Sequence, residues 1–338
     1  MNKRLRTILQ YLFFFGLGIF LVWWSLRGLD KEQKSQISSA LKNARYYLIA
    51  PVFLVLVSGH YFRAMRWRLL IESLGYKPGK ANTFCAVMIG YLANSAFPRL
   101  GEVLKCTVLA RYEKVPADKL VGTIILERVI DVLCLLVVFA ITLMLDPGLY
   151  AQLADKIFNL PGDEQDKKLS GAVILLILFG FVILLIALWM IVKKKSFSDL
   201  MLLLRAIAKR IWEGISAIQH LKTRKQFILY TFLIWGSYFA GGYIGFLGLQ
   251  ETQHYGVTQA FAVLSAGSIG MTITPGGIGG YAFLIEQTMM VYGLQQGVAL
   301  AFGWILWLAN TIVILIGGLV SFVALPWYNK KKLEQSVL

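Results

Sequence analysis

Six stretches of predominantly apolar residues, near 7–26, 46–65, 120–145, 171–192, 226–249 and 297–325, each reach the length of about 20 residues that an α-helix needs to cross a hydrocarbon core. Lipid offers no water to a backbone N–H or C=O, so a crossing chain must close those bonds within each helix. The expected fold class is therefore all-α, a polytopic membrane protein. Composition agrees: 57% of the 338 residues are hydrophobic and the mean hydropathy is +0.65, outside the range of soluble domains.

Two further apolar regions, about 82–112 and 257–292, break at Pro98-Arg99-Leu100-Gly101-Glu102 and at Pro275-Gly276-Gly277-Ile278-Gly279. The offset that carries Pro98 onto Pro275 also carries Gly90 onto Gly267. It lays Val115–Lys119 over Tyr292–Gln296 as well. Each region is too long for one helix and each half is short for a full span, so each reads as a re-entrant hairpin; two complete crossings would give the same parity. An odd number of crossings separates the hairpins, which makes the halves inverted copies. The reading is six full transmembrane helices plus two broken hairpins in an inverted repeat. Residues 1–145 form the first membrane repeat, 146–170 an external acidic linker, and 171–338 the second repeat. Interrupted helices survive at membrane depth only where protein or a watery cavity satisfies them, so a repeated break points to a transporter.

The net charge of +16 is compatible with nucleic acid, but its distribution argues for loop asymmetry instead. Lys3, Arg4, Arg6, Arg66, Arg68, Lys77, Lys80, Arg111, Lys114 and Lys119 fall on one side, together with the basic run from Lys193 to Lys225 and Lys330–Lys332. The opposite side carries Asp146, Asp155, Asp163, Glu164 and Asp166. By the positive-inside rule both termini are cytoplasmic, with Arg27, Lys31, Lys34, Lys42 and Arg45 as the exception. The first apolar segment lacks a small-residue cleavage site and should remain as an anchor. Segment 197–220 reads as a basic amphipathic helix on the cytoplasmic surface, and the glycines between 236 and 280 should let helices approach closely. Cys85, Cys106 and Cys134 lie in apolar segments, and His60, His220 and His254 lack ligand spacing, so neither a disulfide framework nor a metal or other cofactor is expected.

The crossing near 120–145 contains Glu127, Arg128 and Asp131, roughly 10 to 16 Å past Leu120. A charge at a helix centre costs about 2.5–3.5 kcal/mol on insertion scales, so these side chains must face the protein interior. Arg128 and Asp131 are spaced for an ion pair, which leaves one carboxylate in need of a partner. Arg99, at the first hairpin tip, is the candidate for that role or for binding a substrate anion. Gly101 should open the second limb of that hairpin, with Glu102 in its first turn, and an arginine beside a helix N-terminus suits phosphate. The second tip offers amides from Gly276 and Gly277, hydroxyls from Ser268, Thr272 and Thr274, and a charge only at Glu286. The same charged residues could instead form a closed salt-bridge network. Arg63, Arg66, Trp67 and Arg68 close the crossing near 46–65 on the cytoplasmic side and could meet lipid phosphates, although Arg63, Arg66 and Lys77 read more readily as its ordinary positive flank.

The ordered series Arg66-Trp67, Asn94, Pro98-Arg99-Leu100-Gly101-Glu102, Arg111, Glu127-Arg128 with Asp131, and Pro275-Gly276-Gly277-Ile278-Gly279 resembles the lysylphosphatidylglycerol synthase transmembrane, or flippase-like, family over nearly the whole chain. The resemblance implies a bacterial or archaeal inner-membrane protein that moves a lipid, and it adds Asn94 and Arg66 to the candidate site. Two departures accompany it. Only Lys330–Leu338 follow the last crossing, where full-length synthases carry an aminoacyl-transfer domain, so lipid synthesis is not expected. Where the family often has an acidic residue after Pro-Gly-Gly-x-Gly, this chain has Tyr281-Ala282-Phe283, and Glu286 would replace it.

The leading expectation is a non-enzymatic flippase whose partner is a membrane lipid with a phosphate-bearing headgroup, aminoacylated or polyprenyl lipids included. Glu102, Glu127 or Asp131 would tune the site or pair with an amine, while Arg99 and Arg128 would bind phosphate. A metal-dependent lipid-phosphate transferase using Glu127 and Asp131, and a proton-coupled carrier of a small solute, are the alternatives.

Overall fold

The computed structural model describes residues 16, 18–23, 25–27, 29–97, 100–158, 221 and 223–335. Pro98, Arg99, the expected crossing at 171–192 and the expected amphipathic helix at 197–220 lie outside them. The described residues between 16 and 27 are helical. After them run α1 (Lys31–Lys42), α2 (Ile49–Glu72), α3 (Lys80–Ala96), α4 (Leu100–Glu113), α5 (Ala117–Leu145), α6 (Leu149–Phe158), α7 (Arg224–Phe246), α8 (Val257–Ile273), α9 (Gly280–Val291) and α10 (Gln296–Gln335). Among the described residues there is no strand.

Shifting α3 by the offset between Pro98 and Pro275 lands on 257–273, the bounds of α8. The same shift brings α2 to 226–249 against α7, α4 to 277–290 against α9, and the start of α5 to 294 against α10 at Gln296. Proline explains the matched breaks, because it withdraws a donor and disfavours helical backbone in the residue before it. In the second break Gly276, Gly277 and Gly279 adopt φ of 62°, 71° and 72°, the left-handed region that glycine enters without a Cβ clash.

Both apolar regions are closed antiparallel hairpins. In the first, Asn82 Nδ2 donates to Glu113 Oε1 at 2.5 Å at the open end, while Gly90 and Gly101 touch near the tip. In the second, Tyr255 Oη donates to the Tyr292 carbonyl at 3.2 Å, and Gly267 and Gly270 pack on Tyr281. Helix α10 fixes their relation. Its first residue, Gln296, follows directly from the base of the second hairpin, whereas Asn329, close to its other end, exchanges two hydrogen bonds of 2.9 Å with Asn82 at the base of the first. At about 1.5 Å per residue those bases stand roughly 50 Å apart along one helix. The tips converge between them: Trp307 Nε1 donates to the Gly276 carbonyl at 2.9 Å, and a Cβ on Gly276 would lie 3.5 Å from Ser95 Cα.

Three described helices are long and apolar enough to cross a membrane: Tyr46–Glu72, Arg224–Phe246 and Gln296–Lys330. Helix α5, with 29 residues, spans about 43 Å and turns Glu127 and Asp131 inward, while Asp118 and Lys119 in its first turn are exposed. Outward, Ile125, Leu136, Met144, Phe232, Leu319, Phe322 and Val323 are exposed, an apolar exterior that suits lipid rather than water. The crossing placed at 46–65 extends to Glu72, so Arg63, Arg66 and Arg68 lie within the helix and not on a flank after it. The basic 27–45 segment is not a plain loop. Most of it is α1, which docks on the start of α10 through Gln33 Nε2 to Gln296 Oε1 at 2.9 Å. Part of the acidic linker is α6, held to the second hairpin by Lys156 Nζ donating to the Met290 carbonyl at 3.1 Å.

The glycine contact in the first hairpin yields a prediction. A Cβ on Gly101 would run into the Gly90 carbonyl and sit 2.7 Å from Asn94 Cγ. Gly101→Ala will destabilise the protein by about 1–3 kcal/mol. Gly122→Ala, whose new methyl meets nothing within 4 Å, will be neutral or slightly stabilising. Thermal unfolding in detergent reads both.

Candidate functional site

Helical spacing creates the site. On α2, His60, Arg63 and Arg66 recur at every third position and share a face with Trp67; on α5, Glu127 and Asp131 are one turn apart; on α4, Lys105 is one turn beyond Gly101 and so faces the hairpin partner. Packing α2, α4 and α5 together brings these faces into one cluster. Arg63 Nη1 donates to Asp131 Oδ2 at 2.8 Å, and Arg66 Nη2 to Asp131 Oδ1 at 2.6 Å. Lys105 Nζ donates to Glu127 Oε2 at 2.7 Å and sits 4.3 Å over the Trp67 ring. Both arginines also stand 3.6 Å from Glu127 Oε1. Trp67 Nε1 in turn donates to Thr123 Oγ1 at 2.8 Å, which closes the floor of the cluster.

Arg66 and Glu127 are fully buried, while Arg128 is 42% exposed and reaches Glu102 Oε1 at 3.1 Å. The expected Arg128–Asp131 pair is only a 3.7 Å contact, because two arginines from α2 already occupy both oxygens of Asp131. Lys105 takes the role expected of Arg99 as the partner of Glu127. Four cations, Arg63, Arg66, Lys105 and Arg128, meet three carboxylates, Glu102, Glu127 and Asp131, so the described cluster carries a formal 4 − 3 = +1.

A cavity of about 960 Å³ opens against this cluster. One wall is His60, Arg63, Tyr91, Glu102, Arg128 and Asp131; the other is Asn94 and Ser95 from the first hairpin with Ser268, Thr272, Thr274 and Gly276 from the second. Between them stand apolar side chains, among them Val132, Leu135, Leu264, Met271 and Ile314. Of the expected site residues, Arg128, Glu102, Asp131, Asn94, Thr274 and Gly276 therefore share one cavity. Arg66 and Glu127 support it from behind.

Gly277 and Glu286 do not line it. The Gly277 amide donates to the Thr274 carbonyl at 3.0 Å, so it is consumed by the turn itself. Glu286 is buried on α9, where Oε1 accepts from Gln296 Nε2 at 3.1 Å. Asn94 Oδ1 accepts from the Gly101 amide at 2.8 Å, which caps the second limb of the hairpin and removes that amide from the anion-binding donors expected there.

The two halves contribute unequally. Under the repeat offset, Arg63, Arg66, Glu102, Lys105, Glu127, Arg128 and Asp131 correspond to Ala240, Tyr243, Gly279, Ala282, Trp304, Ile305 and Leu308. Among the described residues that line the cavity, the charged ones all come from the first half, and the second half answers with hydroxyls. Lys105 and His60 are absent from the expected site, yet both carry a legible signal: each is a polar residue on the face its own helix turns toward its packing partner. Glu127 and Asp131 offer no free carboxylate to a metal, and among the described residues no three His, Cys, Asp or Glu side chains gather as a ligand group.

Long apolar helices with an apolar exterior, folded around a charged interior cavity, define a polytopic helical membrane protein. The chain matches the model of the lysylphosphatidylglycerol synthase TM region over residues 8–318, and it belongs to that family. It is also similar to a UPF0104 membrane protein of Methanocaldococcus jannaschii, 29% identical over 133 residues. That match covers 38% of this chain and only 36%, about a third, of the relative's length. No solved structure matches.

Proposed function

We propose that this protein is a lipid flippase that moves a phosphate-bearing lipid across the bacterial inner membrane by alternating access. The observation that carries the reading is the cavity with a cationic wall of Arg63 and Arg128 on one side and two opposed hairpin tips on the other. Such a site takes an anionic headgroup while acyl or prenyl chains remain in the bilayer, with α2 through α5 and α7 through α10 acting as inverted repeats whose hairpins are re-entrant. Six full crossings with both termini cytoplasmic complete this arrangement. Lys80, Glu113 and Lys330 gather where Asn82 meets Asn329, an end rich in the lysines expected inside. Membrane lipids are the partners, and the cluster would bind rather than transform them.

The test is reconstitution into vesicles carrying a trace of headgroup-tagged fluorescent lipid, with a membrane-impermeant quencher reporting movement between leaflets. Anionic, aminoacylated and polyprenyl-phosphate lipids are each tried. Translocation of any of them above protein-free vesicles is expected; failure with all of them overturns the proposal. Arg128 is half exposed to the cavity, so Arg128→Gln will keep the fold. It removes a charge-assisted bond worth about 1.5–3 kcal/mol and will weaken apparent lipid affinity roughly 10- to 100-fold, read from the lipid concentration at half-maximal rate.

A further inference from the structure

We infer that the headgroup taken by this cavity is an anionic polyol phosphate, one with free hydroxyls and no ammonium group; this rests on the flippase reading above and narrows its substrate. The cavity is divided into a wall that donates hydrogen bonds and a wall that accepts them. On the donating wall, Arg63 Nε is buried without a hydrogen-bond partner, and so is the ring of the buried His60, one of whose nitrogens carries an N–H to donate. Arg128 presents a five-donor guanidinium of which Glu102 occupies one side. These groups sit in the cluster of net formal charge +1 and fit phosphate oxygens.

On the opposite wall two hydroxyls have their protons already committed. Ser268 Oγ donates to the Leu264 carbonyl at 2.7 Å and Thr272 Oγ1 to the Ser268 carbonyl at 2.8 Å. A carbonyl can only accept, so the direction of each bond is fixed, and what these side chains turn toward the cavity are lone pairs. Lone pairs fit the O–H groups of a glycerol or sugar headgroup. The same lone pairs would accept from an ammonium, so what disfavours one here is charge. Each nearby carboxylate is bound by a cation of the protein itself: Glu102 by Arg128, Asp131 by Arg63 and Arg66, and Glu127 by Lys105. An amine would have to displace one of them and would add to an existing positive excess.

The experiment compares four lipids with identical chains in the same reconstituted protein: phosphatidylglycerol, its lysyl ester, phosphatidylethanolamine and phosphatidic acid. Phosphatidylglycerol should move at least about tenfold faster than the two amines and severalfold faster than phosphatidic acid, which has the phosphate without the hydroxyls. Ser268→Ala with Thr272→Val should bring the phosphatidylglycerol to phosphatidic acid ratio toward one, a ratio that cancels any difference in active protein. Equal or faster movement of the amines overturns the inference while leaving the flippase reading intact. If none of the four moves, and no other lipid does, both fall. Radiolabelled glycerol phosphate offered outside the same vesicles separates a soluble source of this chemistry: its entry in place of lipid movement would also overturn the inference.

Discussion

Asp131→Ala will destabilise the protein by about 3–5 kcal/mol, the range for breaking a buried ion pair by removing one partner. Arg63 and Arg66 donate to Asp131 at 2.8 and 2.6 Å, and Arg66 is fully buried. With the carboxylate gone, two guanidiniums would remain against Glu127 alone, which Lys105 already holds. The surplus would change from one positive charge to two in a medium with little water to screen it. Asp131→Asn keeps the shape and two hydrogen-bonding ends but not the charge, so it too will be strongly destabilised. Glu102→Gln is the contrast: its bridge to Arg128 is 35% and 42% exposed, and its loss should cost at most about 1 kcal/mol. Detergent-solubilised unfolding midpoints rank the three variants, and a result in which Glu102→Gln equals Asp131→Ala would mean that the cluster is solvated.

Much of the architecture is legible in the chain because its determinants are local. Proline and glycine fix where α3 ends and where α8 gives way to α9, so the single offset from Pro98 to Pro275 predicts helix bounds on both sides of each break. Which charges meet is less legible. From α5 alone, Arg128 and Asp131 look like partners at the i,i+3 step, but Asp131 instead faces α2, whose arginines read in sequence as a membrane flank. A flank and a buried pair have the same residues in the same helix; only the packing of α2 on α5 distinguishes them. The repeat misleads in one respect. Equal tips suggest equal anion-binding amides, yet the Gly277 amide closes its own turn and the Gly101 amide is capped by Asn94. The helix bounds match across the offset while the side chains differ, so the charges that line the cavity come from one half and hydroxyls from the other.

That asymmetry meets at the hairpin tips, and on the flippase proposal cross-linking them will abolish transport. A Cβ at position 276 would lie 3.4 Å from the Ser95 carbonyl oxygen and 3.5 Å from Ser95 Cα, so cysteines at these two positions are close enough to be joined by oxidation or by a short thiol-reactive linker. Gly276 has φ of 62°, and a side chain there costs about 1–2 kcal/mol, small beside what holds the hairpins together. The pair is placed in a background from which Cys85, Cys106 and Cys134 have been removed, since these are free thiols. Alternating access requires the two halves to separate on one side of the bound headgroup and then on the other, and the tips are where two oppositely entering hairpins touch. Oxidant should therefore join Ser95→Cys to Gly276→Cys and reduce lipid movement to that of empty vesicles. Reductant should restore it, and each single cysteine should be indifferent to both. A joined protein that still moves lipid at its former rate would mean that the tips travel as one body, and the gate would then have to be sought where Asn82, itself bonded to Glu113, holds Asn329, at the far end of the first hairpin.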